Sequence, residues 1–232
     1  MKAMILAAGR GERMRPLTDT CPKPLLAAGG KSLIGWHLER LARAGIREVV
    51  INHAYLGAML VDRLGDGRAF GLKINWSAEA GGALETAGGI RQALPLLGDE
   101  AFLVINADIY CEWDTGLART IGRDMVSRQD LAHLVMVPNP PQHPDGDFVL
   151  QDGRILAAGA TRLTFSGIGI YDPSLFVGID PGRPAKLAPL LIAAMATARV
   201  GGECYSGRWT DVGTPLRLAA LDHELRMLSS DV

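Results

Sequence analysis

The run Leu6-Ala7-Ala8-Gly9-Arg10-Gly11-Glu12-Arg13-Met14-Arg15-Pro16-Leu17, followed by Cys21-Pro22-Lys23-Pro24-Leu25, joins glycines to cations. Glycines let backbone amides approach an anion closely. Lys23 stands between two prolines, each of which fixes its own φ and biases the preceding residue toward extended backbone, so this cation is restrained. Arg13 and Lys23 are therefore candidates for phosphate chemistry. Isolated basic residues are more often solvated surface groups. Their place directly behind a first strand, where open α/β sheets bind ligands, weighs against that alternative. The loop lacks the third glycine of a dinucleotide fingerprint and has no G-K-[ST] of a nucleotide-triphosphatase loop.

Two carboxylates come next. Asp108 ends the apolar run Phe102-Leu103-Val104-Ile105-Asn106-Ala107-Asp108, and Asp211 lies in Trp209-Thr210-Asp211-Val212-Gly213-Thr214. Two carboxylates can hold one Mg²⁺ while the ion keeps water and phosphate ligands. Aspartate also caps turns and precedes helices, and spacing alone leaves both readings open.

The elements that must position these groups follow a βαβ rhythm through the first 138 residues, the pattern of a mostly parallel sheet. Strands are expected over residues 2–7, 48–52, 72–76 and 102–106. Helices are expected over 33–44, with Ile34, Leu38 and Leu41 on one face, over 55–64 and from about Thr86 to Leu94. After Pro138, Pro140, Pro141 and Pro144, Asp152-Gly153 sits between Phe148-Val149-Leu150 and Arg154-Ile155-Leu156 as a strong hairpin signal. The second half should be more antiparallel, with a strand over 163–171, a helix over 186–198 and a closing helix over 214–228 begun by Pro215. The reading is one α/β domain over 1–232, a nucleotide-binding half to residue 138 and a sugar-binding half from 139 extending the same sheet.

Lys plus Arg number 24 against 25 Asp plus Glu, a net charge of -1, which disfavours a broad basic nucleic-acid face. Cys21, Cys111 and Cys204 are odd in number and form no metal-binding spacing. The apolar start is too short for a signal-peptide core and no run reaches the roughly 20 residues that span a bilayer. A cytoplasmic protein without membrane or nucleic-acid partners is expected, and its oligomeric state is not legible. His53, His133 and His143 have no carboxylate or serine at telling spacing, so a hydrolytic triad lacks support.

The pattern G-x-G-E-R-M-x-P-L-T, then P-K-P-L, resembles the signature of the sugar-1-phosphate nucleotidyltransferases. Further similar stretches are Ile51-Asn52-His53, Leu84-Glu85-Thr86, Gly146-Asp147-Phe148, Phe165-Ser166-Gly167-Ile168, Lys186-Leu187-Ala188-Pro189-Leu190 and the Asp211 segment, so the resemblance covers nearly the whole chain. Ala107, Cys21 and Ala185 depart from it, where the family favours glycine, a small hydroxyl residue and an aromatic residue.

The resemblance implies a Rossmann-like mixed sheet flanked by helices. It also implies transfer of a uridylyl group from UTP to a sugar 1-phosphate, with N-acetylmuramic acid 1-phosphate as the expected acceptor in cell-wall sugar salvage. The 1-phosphates of glucose, mannose or N-acetylglucosamine are the alternatives, and a non-catalytic nucleotide-binding module is a more distant one. By the same resemblance, Asp108 and Asp211 hold Mg²⁺, and Arg13 and Lys23 are catalytic. Ala7, Ala8, Gly9, Gly11, Glu12, Glu85 and Gly88 contact the nucleotide, and Asn106, Gly146, Asp147, Ser166 and Gly167 contact the sugar.

Overall fold

In the computed structural model, which describes residues 1–230, the first half forms β1 (Ala3–Leu6), a short hairpin of β2 (Ala27–Ala28) and β3 (Lys31–Ser32), and α1 (Leu33–Arg43). β4 (Glu48–His53), α2 (Gly57–Leu64), β5 (Lys73–Ala78), α3 (Glu85–Leu97), β6 (Phe102–Asn106), β7 (Ile109–Cys111) and α4 (Ala118–Arg128) follow. Then come β8 (Ala132–Val137), β9 (Phe148–Gln151), β10 (Arg154–Leu156), β11 (Arg162–Tyr171), α5 (Leu187–Ala196), β12 (Val200–Cys204), β13 (Trp209–Asp211) and α6 (Pro215–Ser230).

Nine strands make one sheet in the order β5-β4-β1-β6-β11-β8-β12-β10-β9. β5, β4, β1 and β6 run parallel; beyond them β11 is antiparallel to both neighbours, and β8 pairs in parallel with β12. Both faces are covered, which is why the central strands read as continuous apolar runs rather than alternating ones. Ile5, Ile51 and Ile105 pack under α1, α2 and α4, while Met4, Val50 and Val104 face α3 and α5.

Local chemistry explains the ends. The Ser32 hydroxyl accepts the Gly35 amide as the cap of α1, and Gly45, at φ 74, follows its last turn. Asp152 and Gly153 both have positive φ, as a two-residue hairpin turn between β9 and β10 requires. α2 begins two residues later than the pattern suggests, because Leu56 takes a left-handed conformation, and α5 begins one residue after Lys186, which is its cap position.

β7 and β13 lie outside the main sheet as a separate antiparallel ribbon. Together with α6, Met14 and Tyr110 it forms a small third core. Each strand is three residues long, too short for a periodic signal.

Candidate active site

The carboxyl ends of β1, β4 and β6 open onto a cleft of about 560 Å³. Ala7, Ala8, Gly9, Gly11, Glu12 and Arg13 line one side; Lys23, Asn106 and Asp108 lie across it, and Glu85 and Thr86 form another wall. Gly11 is required twice over. Its φ is 66, and a Cβ there would come within 3.1 Å of Thr18 and 3.3 Å of Lys23. The Thr18 hydroxyl donates to the Gly11 carbonyl at 2.9 Å, fixing the turn.

The loop's cations divide by their partners. Arg10 lies over the Tyr55 ring and Arg15 pairs with Asp19 at 3.0 Å. Arg13 is exposed, lines the cleft and makes no ion pair among the described residues. Lys23 is only 7% exposed, and its Nζ donates to Asp108 Oδ2 at 2.7 Å. The proline-flanked lysine therefore reaches the end of β6.

The ribbon brings in Asp211. β13 runs antiparallel to β7 with Asp211 opposite Ile109, and the Val212 amide donates to the Asp108 carbonyl at 2.9 Å. The two carboxylates thus come from neighbouring backbone segments. Asp211 also pairs with Arg217, and Gly213 lines the cleft beside Asp108. As hard oxygen donors, Asp108 and Asp211 suit Mg²⁺, and a set of only two leaves room for the water and phosphate oxygens that ion retains.

A buried relay that the sequence reading missed joins the two walls. Asn52, at the end of β4, accepts the Ala7 amide at 2.8 Å and donates to Glu79 at 2.6 Å. The second Glu79 oxygen accepts the Leu84 amide at 2.7 Å. Glu79 is 4% exposed and Asn52 3%. Gly89 leaves the space they need, since a Cβ there would lie 2.6 Å from Glu79. The available signal was slight: Asn52 stands one residue before the end of β4, and Glu79 directly follows β5, whose residues Lys73–Ala78 mix polar with apolar. Glu85, next to this wall, has φ 60, a conformation that is uncommon outside glycine and clusters at functional sites.

A second cavity of about 300 Å³ adjoins the first and shares Leu6, Glu85, Thr86 and Asn106 with it. Asp147 and Gly167 line it. Gly167, at φ 85 in the irregular stretch of β11, lies against Asn106, where a Cβ would be 2.8 Å from the Asn106 amide nitrogen.

Four of the expected site residues, Gly88, Gly146, Ser166 and Asp211, line neither cavity. Gly88 meets backbone instead: a Cβ would fall 2.4 Å from the Arg183 carbonyl, and its amide donates to the Ala185 carbonyl at 3.1 Å. Ser166 is buried, and its hydroxyl accepts the Ile168 amide across the β11 irregularity. Gly146 packs against Asn139 and the Arg162 backbone at φ 61. Each serves the chain's own course. Asp211 reaches the cleft only through its ribbon neighbours.

Beneath the ribbon, His37 of α1 is fully buried with Nε2 2.8 Å from the Ile109 carbonyl. Burial, aided by the nearby Arg40 guanidinium, lowers its pKa from the usual 6.5 to about 4. It is a neutral prop for the segment after Asp108.

A glycine loop behind the first strand, with a restrained lysine paired to Asp108 at the carboxyl edge of a mixed sheet, defines a nucleotide-handling α/β protein. The chain belongs to the nucleotidyl transferase family, which it matches over residues 2–148. It is 56% identical to the N-acetylmuramate alpha-1-phosphate uridylyltransferase of Neisseria meningitidis, over 94% of this chain and 95% of that one. It is 35% identical to the protein of the same name from Caulobacter vibrioides, over 94% of each. Among solved structures, a glucose-1-phosphate thymidylyltransferase candidate from Bacillus anthracis has the same fold, with a TM-score of 0.83 at 22% identity over 97% of this chain and 95% of that one.

Proposed function

We propose that this enzyme transfers a uridylyl group from UTP to N-acetylmuramic acid 1-phosphate, giving UDP-N-acetylmuramic acid and pyrophosphate in cell-wall sugar recycling. The observation that carries the reading is the meeting of buried Lys23 with Asp108 at 2.7 Å in a cleft that also takes up exposed, unpaired Arg13. The names and high coverage of the relatives support the choice of substrates.

In this reaction an oxygen of the sugar phosphate attacks the α-phosphorus of UTP. The new P–O bond forms as the bond to pyrophosphate breaks, and the departing pyrophosphate takes the electron pair. No covalent enzyme intermediate is needed, so the protein's contribution is positioning and charge neutralisation. Lys23 neutralises the reacting phosphates and Arg13 the leaving ones. Ala7, Ala8 and Gly9 give the base a surface without bulk, held level with the Glu85 wall by the Asn52–Glu79 relay. Asn106, Asp147 and Gly167 line the adjoining cavity, where the sugar would sit. Asp108 and Asp211 would hold Mg²⁺, which when bound supplies further neutralisation of phosphate charge. Among the described residues no helix is long and apolar enough to cross a membrane.

The test is an initial-rate panel of UTP, CTP, GTP and dTTP against the 1-phosphates of N-acetylmuramic acid, N-acetylglucosamine, glucose and mannose, read as pyrophosphate release. UTP with N-acetylmuramic acid 1-phosphate should give the highest kcat/KM. A tenfold preference for glucose or mannose 1-phosphate with any nucleotide would overturn the assignment within the family.

A further inference from the structure

N-acetylmuramic acid differs from N-acetylglucosamine by a lactyl ether, which adds one methyl group and one carboxylate. A site that selects it needs an apolar surface and a cation in the sugar half of the groove, with the cation not already neutralised by the protein. This requirement rests on the acceptor proposed above.

Arg154, Arg162, Arg183 and Lys186 are the cations of the second half nearest in sequence to the sugar segments, and exposed Arg183 lines neither cavity. Arg154 is spent, because its guanidinium pairs with buried Asp130 at 2.5 Å. Arg162, at the exposed start of β11, packs its backbone against Gly146 and lines neither cavity. Lys186 does line the cavity of about 300 Å³, and among the described residues it is the only lysine or arginine that does. It makes no ion pair or hydrogen bond among the described residues.

The other charged groups there leave Lys186 to a ligand. Asp147 accepts the Phe165 amide at 2.7 Å through one oxygen, and its other oxygen is 3.1 Å from His143. Glu85 sits at the mouth shared with the nucleotide cleft. Phe165, Leu187 and Leu191 supply an apolar wall beside Lys186. As the cap residue of α5, Lys186 also stands at the positive end of that helix.

We propose that Lys186 pairs with the lactyl carboxylate, with the methyl group against this wall, and so sets the choice of N-acetylmuramic acid over N-acetylglucosamine 1-phosphate. A site built for a charged group disfavours the analogue lacking it.

The experiment measures kcat/KM with UTP for both sugar phosphates in the wild type, Lys186→Met and Lys186→Arg. The ratio favouring the muramic acceptor should fall at least about tenfold in Lys186→Met, as the loss of one charge-assisted contact implies. The change should appear in KM rather than kcat, and Lys186→Arg should restore most of the ratio. If the wild type prefers the muramic acceptor and Lys186→Met keeps the full ratio, or loses both activities equally, the Lys186 assignment fails while the acceptor stands. If the wild type does not prefer the muramic acceptor, both fail together.

Discussion

Lys23 Nζ lies 2.7 Å from Asp108 Oδ2, which couples the phosphate loop to the end of the central strand β6. Lys23→Ala should lower turnover by at least about 100-fold, the usual loss when a positioned electrostatic donor is removed. Arg13→Ala should do the same. The two should differ in stability: exposed Arg13 can be removed without a change in Tm, whereas removing buried Lys23 deprives Asp108 of its partner. Steady-state rates beside thermal melts check both, and near wild-type turnover in either folded variant would remove that residue's role.

Asp108→Asn and Asp211→Asn should raise the Mg²⁺ concentration needed for half-maximal rate while leaving the protein folded, since the amide keeps the shape and loses the charge. If both hold one ion, the double variant should be less impaired than the product of the two single effects. Titration of Mg²⁺ against rate measures this. Unchanged half-saturation in both single variants contradicts the shared ion.

The Asn52–Glu79 relay predicts a different signature. Asn52→Ala leaves the Ala7 amide and a Glu79 oxygen without partners, and Glu79→Ala does so for the Leu84 amide, each a loss of roughly 1–3 kcal/mol in stability for a buried group. Both should also raise KM for the nucleotide more than KM for the sugar phosphate. Denaturant melts and separate KM determinations test it, with a selective rise in the sugar-phosphate KM as the contrary result.

His37 makes stability depend on acidity. Its folded pKa of about 4 lies below the usual 6.5, so between these values the unfolded chain binds the proton that the folded one refuses. The stabilisation is fully present above about pH 6.5 and is lost as pH falls toward 4. A shift of this size corresponds to on the order of 3 kcal/mol. His37→Gln, which keeps a donor for the Ile109 carbonyl, should flatten the fall in Tm between pH 7 and pH 4. An unaltered profile would show that acid sensitivity arises elsewhere.

The phosphate loop and the first four main-sheet strands were legible because their signals are local: glycines, prolines and cations in one run, and apolar segments of strand length. The Asn52–Glu79 relay was not, since it arises from parallel pairing of β1, β4 and β5, which sets three strand ends side by side. The packing need at Gly88 was hidden for a related reason. The atoms that exclude a side chain there belong to residues 183–185, far along the chain. The internal bond of Ser166 was equally hidden, because its hydroxyl accepts the Ile168 amide only where the register of β11 shifts.

The ribbon of β7 and β13 also fixes when the site can exist. During synthesis, a nascent chain that has emerged through β8 already carries the glycine loop, Lys23 and Asp108, but the strand bearing Asp211 is still to be made. Closing that pairing spans about a hundred residues, and such distant contacts carry a loop-closure cost that local ones do not. The contact between the Asp211 and Asp108 segments is therefore among the last that the growing polypeptide can make, after most of the main sheet has been translated.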